Sequence, residues 1–337
     1  MSDGTHNVWP EYTVAEIADK NDRYSFTGGP FGSDLKRDDY VGQGVRIIQL
    51  QNIGDGEFLD SYKIYTTEEK ADELSSSNIF PGDIIISKMG DPVARAAKMP
   101  SYSKRYVMAS DGIRLSVDKN QFDVKYILDS INHIRFRRQA EENSTGTTRK
   151  RIGFSALRDL TIPVPPLPEQ KKIATILTSV DTVIEKTHAQ IVKLNDLKTS
   201  MMQELLTKGI GPDGKPHTEF KDSPVGRIPV GWECRTLETM LSKSKYPMRS
   251  GPFGSSLLKS ELVKIGIPYL GIDNVHREHF SNNFKRHVTQ EKFMELEKYR
   301  VFPNDVMITI MGTVGRSCVV PKSVGSALSS KLSLIHI

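Results

Sequence analysis

Cysteine is nearly absent: Cys234 and Cys318 are the only two in 337 residues, far apart and without metal-ligand spacing. That excludes a disulfide-stapled scaffold and a cysteine zinc site, and it fits a reducing compartment. No run approaches the roughly 18 consecutive apolar residues of a membrane span, and the stretch from Met1 to Lys20 is polar and acidic rather than signal-like. The expectation is a cytoplasmic protein with no membrane partner. Signatures of catalysis are missing as well. There is no phosphate-binding loop of the Walker type, and Asp91-Pro92-Val93 is the nearest approach to an adenine-methyltransferase motif and fails it. His276, His279 and His287 have no cysteine or acid to complete a familiar metal spacing, so surface or core histidines are expected and no metal site. Pro212-Asp213 and Glu219-Phe220-Lys221 mimic the acid-acid-lysine pattern of metal-dependent nucleases. Such a site needs a rigid strand frame, and Pro212, Gly214 and Pro216 break this one.

What is present is an ordinary soluble composition, 37% apolar and 26% charged, long enough for two domains and a connecting element. The net charge of +5 points weakly to an anionic partner. One stretch, 166–209, demands a long uninterrupted helix. Ile173, Leu177, Val180, Ile184, Thr187, Ile191, Leu194, Lys198, Met201 and Leu205 step by alternating four and three residues, and eight of these ten are apolar. Pro168 and Glu169 mark its start, Lys208 and Gly209 its end. At the helical rise it is about 60 Å long, more than one compact domain needs, so it reads as a spacer with a coiled-coil seam. A long amphipathic helix packed on its own domain is the plainer alternative.

Before the helix, residues 1–165 read as a mixed domain, with strands at Val45–Gln49 and Asp83–Ser87, a turn at Phe80-Pro81-Gly82-Asp83, and one helix from Val124 to Ala140. Arg135, Arg137, Arg138, Arg149, Lys150 and Arg151 place six basic residues within seventeen positions, against Glu141 and Glu142. A charge run is commonly a solvated face. Here the loop Asn143 to Thr148 adds hydroxyl and backbone N–H donors, the mixture that grips a nucleic-acid backbone. Ile162-Pro163-Val164-Pro165-Pro166 is a stiff extended connector into the helix. After the helix, 210–231 is a linker rich in Gly and Pro, and a second domain occupies 232–337.

The two domains are copies. Gly29-Pro30-Phe31-Gly32-Ser33 recurs as Gly251-Pro252-Phe253-Gly254-Ser255, Asn52 as Asn274, Phe80-Pro81 with Asp83 as Phe302-Pro303 with Asp305, and Met89-Gly90 as Met311-Gly312, all at an offset of 222. Over positions 29 to 90, 22 of 62 residues are identical. The shared Gly and Pro positions read as turn requirements. Side chains between them diverge, Gln49-Leu50-Gln51 facing Gly271-Ile272-Asp273, as expected of one frame reading two targets. The second copy stops at Ile337, so the expectation is a fragment without a second basic region or a second spacer helix.

These residues resemble the specificity subunits of type I restriction-modification systems. The resemblance rests on 162–173 entering the long helix, Phe220-Lys221-Asp222-Ser223-Pro224-Val225-Gly226-Arg227-Ile228-Pro229 leading to Gly231-Trp232, and the duplicated Gly-Pro-Phe-Gly-Ser. It implies an α+β fold with two repeated target-recognition domains joined by a coiled-coil-type spacer helix, each domain reading half of a split double-stranded DNA sequence. It also implies helices that dock adenine methyltransferase subunits, with restriction subunits joining them. The chain itself would do no chemistry, and S-adenosylmethionine, ATP and Mg²⁺ would belong to its partners. Candidate DNA contacts are Gln51, Asn52, Lys88, Arg95, Arg135, Arg138, Thr147, Arg149, Lys150 and Arg151, with Asn274, Arg277 and Arg316 in the second domain; Asn52 and Asn274 could equally cap turns. The seam would serve partner docking or, unpaired, a homodimer. Two other readings remain open: a coiled-coil scaffold without a nucleic-acid role, and a self-contained nuclease or methyltransferase.

Overall fold

The computed structural model describes residues 9–30, 32–147, 149–252, 256–330 and 332–336. Phe31, Thr148 and Phe253-Gly254-Ser255 of the motifs above lie outside the described residues. The chain divides into two units, Met1–Asn195 and Asp196–Ile337.

The first unit is built on β6 (Ile84–Ser87), an apolar strand bounded by the Pro81-Gly82-Asp83 turn. Alternation along the strand sends Ile84 and Ile86 into one core and Ile85 into another, which is why the run is apolar at consecutive positions rather than at every second one. β6 lies between β9 (Gly112–Leu115) and β7 (Ala96–Lys98), and β2 (Phe26–Gly28) completes an antiparallel sheet in the order β2-β9-β6-β7. A second sheet, β4-β3-β8-β5, combines β3 (Val45–Ile48) with β4 (Ile64–Thr66), β5 (Asn78–Ile79) and β8 (Tyr106–Met108); only β3 and β8 run parallel. The Asp83 carboxylate locks the turn by accepting the Phe80 N–H at 2.8 Å and Arg114 Nε at 2.6 Å, both charges being buried and paired.

The helix expected from 124 to 140 is two helices, α3 (Val124–Asn132) and α4 (Ile134–Glu142). Asn132 binds both backbone groups of Ala96 on β7 at 3.0 Å, and extended His133 (φ −70°, ψ 147°) caps the second helix through the Arg135 N–H. Tying the chain to the sheet at Asn132 interrupts it before Arg135. Outside this pair, α1 (Val14–Ile17) is closed by a Thr13–Glu16 capping box, α2 (Glu68–Glu73) by Thr67, and β1 (Glu11–Thr13) pairs with β12 (Thr161–Pro163).

The spacer forms as one helix, α6 (Leu167–Lys208), of 42 residues. Its entry is anchored by Gln170, 1% exposed, which accepts the Asp123 N–H at 2.8 Å and donates to the carbonyls of Gln121 (3.1 Å) and Pro165 (2.9 Å). Ile173 packs on the core and Ala174 is buried. Gly209, in the left-handed region at φ +63°, ends the helix.

The second unit repeats both sheets strand for strand. β15 (Met248–Ser250), β24 (Leu332–Ile335), β21 (Val306–Thr309) and β22 (Ser317–Val319) stand in that order, as do β19 (His287–Val288), β16 (Ile267–Leu270), β23 (Ala327–Ser329) and β20 (Arg300–Val301), again with one parallel pair, β16 and β23. Between the sheets' strands, α7 (Gln290–Glu295) repeats α2 with Thr289 as its cap. Gly29 and Gly251 recur because backbone passes against them: a Cβ on either would run into the carbonyl oxygen of Ala109 or of Ser330. Close approach rather than turn geometry explains these two glycines. Asp305 accepts the Phe302 N–H at 2.5 Å as Asp83 accepts that of Phe80, but its second partner is His336 Nδ1, also at 2.5 Å, in place of an arginine.

Burial pushes the Cys318 thiol up to about 11, whereas Cys234 is exposed. A thiol-specific chromophore at pH 8 is expected to titrate one cysteine in the native protein and two after unfolding; two fast-reacting thiols in the native state would contradict the packing of β22.

Candidate nucleic-acid interface

The basic loop folds as a hairpin of β10 (Ser144–Thr145) and β11 (Arg151–Ile152), with Gly146 at φ +95° in its turn. It does not stand free. Met89 pairs with Arg151, the Gly90 N–H donates to Lys150 O at 3.1 Å, and the Ile152 N–H donates to Lys88 O at 2.9 Å. Lys88 and the 149–151 cluster, some sixty positions apart in the chain, are thereby side by side at the open end of β6.

The charges there are unevenly matched. Arg151 pairs with Asp111 at 2.8 Å, and Lys150 pairs with Glu141. Lys88 is half-buried; burial first, then Arg151, lowers its pKa below the ordinary lysine value, with Asp111 opposing. Thr147 and Arg149 are exposed on the turn, and among the described residues Arg149 and Arg138 have no ion-pair partner. Arg95 lies beside Gly90 with its Nε buried and unpaired. Gln51 is exposed on the short turn that follows β3.

The run of six basic residues does not act as one patch. Arg137 is 7% exposed and structural, donating to Asp55 at 2.6 Å, to Val93 O at 3.2 Å and to Asn132, so it clamps α4 to the body. With Arg138, Lys150, Asp55, Asp91 and Glu141 it lines a cavity of about 240 Å³. Arg135 pairs instead with Glu11 at 2.7 Å and lines a different cavity of about 300 Å³ with Trp9, Tyr126 and Leu177, where the helix leaves the domain.

Asn52 and Asn274 are corrected to structural residues. Asn52, fully buried, accepts the Gln49 N–H at 3.0 Å and donates to Leu59 O and Tyr62 O, each at 2.9 Å. Asn274 repeats this with the Gly271 N–H (2.9 Å), Ser281 O (3.0 Å) and Asn283 O (3.2 Å). Both side chains are buried and bonded to backbone, out of reach of a base edge.

In the second unit, Arg316 is the structural counterpart of Arg95: its carbonyl accepts the Thr309 N–H at 2.8 Å, as that of Arg95 accepts the Ser87 N–H at 2.8 Å. A one-residue deletion after Gly312 hides this match from an ungapped comparison. Arg316 is exposed, and so is Arg277, at the turn between β17 (Val275–His276) and β18 (His279–Phe280). The adjacent Glu278 pairs with Lys198 of α6 at 2.7 Å. Of the nuclease-like residues, Asp213 accepts the Lys215 N–H at 3.1 Å within a tight turn, and Phe220-Lys221 forms a two-residue strand, β13, with β14 (Ile228–Pro229). Among the described residues no group of three or more His, Cys, Asp or Glu could hold a metal ion, and no helix is long and apolar enough to cross a membrane.

The seam residues Leu177, Val180, Ile184, Ile191, Leu194, Met201 and Leu205 are exposed, from 38% at Leu177 to 64% at Leu194, and Thr187 and Lys198 with them. Ile176, Val183 and Leu197, outside the seam, are exposed too, which widens the apolar face beyond the two columns of a simple zipper.

A duplicated two-sheet domain, a long helix with an exposed apolar face and a basic hairpin are the features that characterise the chain. The type I restriction modification DNA specificity domain model matches residues 12–196, more than half of the chain, and the chain belongs to that family. It is 30% identical over 238 residues to the putative type I restriction enzyme MjaX specificity subunit of Methanocaldococcus jannaschii, covering 67% of this chain and 52% of that one. It is 20% identical over 340 residues to the EcoBI specificity subunit of Escherichia coli, covering 98% and 66%. The chain thus spans about half of the first relative's length and less than two thirds of the second's. Its fold matches a chain in a solved structure concerned with complex assembly and conformational transition of the type I R-M system, with a TM-score of 0.57, 14% identity and coverage of 98% of this chain and 75% of that one.

Asn52→Ala removes the partner of the Gln49 N–H and of Leu59 O, while Tyr62 O keeps Arg46, and is expected to destabilise the first unit by about 2 kcal/mol, measured by denaturant unfolding. DNA affinity per folded molecule is expected to stay unchanged; a normal stability with lost binding would return Asn52 to the interface.

Proposed function

We propose that this chain is a DNA-recognition polypeptide of a type I restriction-modification complex, with its first unit reading duplex DNA through the hairpin end of β6. The observation that carries the reading is the juxtaposition of Lys88 with Arg149, Lys150 and Arg151, on a domain whose family is the DNA specificity domain. Cations at that edge supply sequence-independent, salt-sensitive affinity, and neighbouring polar groups such as Gln51 and Thr147 supply discrimination, about 1–3 kcal/mol for each good bidentate base contact. The second unit, with Arg277 and Arg316, reads a second half-site, and the spacer makes the distance between half-sites part of the code.

The chain does no chemistry in this reading. Adenine methylation and cleavage belong to methyltransferase and restriction subunits that dock on it and bring S-adenosylmethionine, ATP and Mg²⁺. The exposed face of α6 is the docking surface, and the same face pairs two copies of the chain.

Co-expression with the methyltransferase encoded beside it, followed by base-resolution mapping of adenine methylation, tests the function. A new methylated motif is expected, and Arg149→Ala with Lys150→Ala is expected to reduce its occupancy at least tenfold in a still-folded protein. A scaffold without a nucleic-acid role predicts no methylation and flat duplex binding across a salt titration. Light scattering at tens of micromolar is expected to give a dimer that Ile184→Glu with Ile191→Glu converts to monomer; a monomeric wild-type chain would remove the pairing.

A further inference from the structure

The internal repeat supplies a control that a single domain lacks, because each position has a second version of itself in the same chain. At the exit of β6 the two versions differ in kind. The first carries Lys88 over Gly28; the second carries the half-buried Ile310 in place of Lys88 and Ser250 in place of Gly28.

The Lys88 backbone is pinned on both sides. Its N–H donates to Asp111 O at 2.8 Å and its carbonyl accepts the Ile152 N–H at 2.9 Å. Its ammonium lies over Gly28, where even a Cβ would come within 3.9 Å of Nζ. A lysine tail is ordinarily free to swing into water, and this one is held half-buried instead. Among the described residues the one carboxylate acting on it is Asp111, and Arg151 has taken that group at 2.8 Å. Two cations therefore share one carboxylate in a partly desolvated corner, leaving one positive charge uncompensated. Burying an unpaired charge is unfavourable, and the lowered pKa of Lys88 is the sign of that cost.

A ligand with one negative charge and outward-facing oxygens would complete the site. A backbone phosphodiester of DNA has that charge and that shape. We infer that Lys88 and Arg151, held over Gly28 and Asp111, form a preformed seat for a single DNA backbone phosphate in the first unit, and that the second unit has none at the equivalent place. The two readers then engage DNA unequally: the first anchors through charge, while the second carries Ile310 where the anchor would be. This rests on the DNA-recognition reading above and assigns one part of its salt dependence to one residue.

The test uses the full chain and 30-base-pair duplexes of several sequences, with affinity measured from about 50 to 300 mM salt. Lys88→Ile installs the residue that the repeat itself carries there, and Lys88→Gln is a polar second variant should the first fold poorly; thermal melts check both. Lys104→Ile, at an exposed lysine away from the seat, controls for bulk charge. The expected result is a loss of about three- to tenfold in affinity for every duplex alike and a log–log salt slope shallower by about 0.9, with Lys104→Ile keeping the wild-type slope. Wild-type slopes in both Lys88 variants would overturn the seat and leave DNA recognition standing. So would a loss confined to one base pair of the target, which would make Lys88 a base reader. Absence of binding by the wild-type chain would remove the underlying reading and the seat together.

Discussion

The burial of β6 on both faces is the constraint from which the rest of the first unit follows. Ile84 and Ile86 face the helices while Ile85 faces the second sheet's core, so the strand cannot slip by one residue without trading one filled core for another. Fixing that register fixes where the chain emerges, and Ser87 to Gly90 emerge at an edge that the hairpin β10–β11 covers by backbone pairing. The buried Asp83–Arg114 pair holds the other end of the same strand. In the second unit Val306 to Thr309 occupies the same place, held at its start by Asp305 with His336. A frame set by backbone pairing and apolar burial leaves the side chains at the strand's exit free to change, which is how one fold carries Lys88 in one copy and Ile310 in the other.

The helix obeys a different logic. Its first turns belong to the first unit: Gln170 is consumed by three backbone partners, Ala174 is buried, and Lys125 reaches Asp181 at 2.8 Å. Beyond that, no packing within the first unit explains its apolar residues. Val180, Ile184 and Ile191 are exposed over several turns, whereas Leu177 still lines the cavity with Trp9 and Tyr126. The exposed apolar face of this helix is wider than a two-column seam, because Ile176, Val183 and Leu197 are exposed beside it.

Much of this was legible from residue order alone. Periodicity located α6 within one residue at each end, the turn chemistry around Phe80-Pro81-Gly82-Asp83 located β6, and the repeat announced two copies of one sheet arrangement. Where reading failed, long-range contacts had overridden local preference. Nothing near His133 announces a helix break, because the interruption comes from Asn132 binding the backbone of Ala96. Asn52 and Asn274 look like base readers in a list of polar residues and are in fact satisfied by carbonyls seven to ten positions away. Arg137 sits among basic neighbours in the chain but is buried against Asp55, and Arg135 turns to Glu11.

The sequence by itself determined the elements whose cause is local or periodic: the spacer helix, the strands near Val45 and Ile84 with the turn at Phe80-Pro81-Gly82-Asp83, and the duplication. The mixture of basic residues with hydroxyl and glycine donors that suits a phosphate backbone is likewise written in the sequence. Only the tertiary structure decided which of those basic residues share a surface. Charge acts through space over a few ångströms, and the distance between Lys88 and Arg151 is set by strand register and hairpin docking rather than by the residues that separate them in the chain.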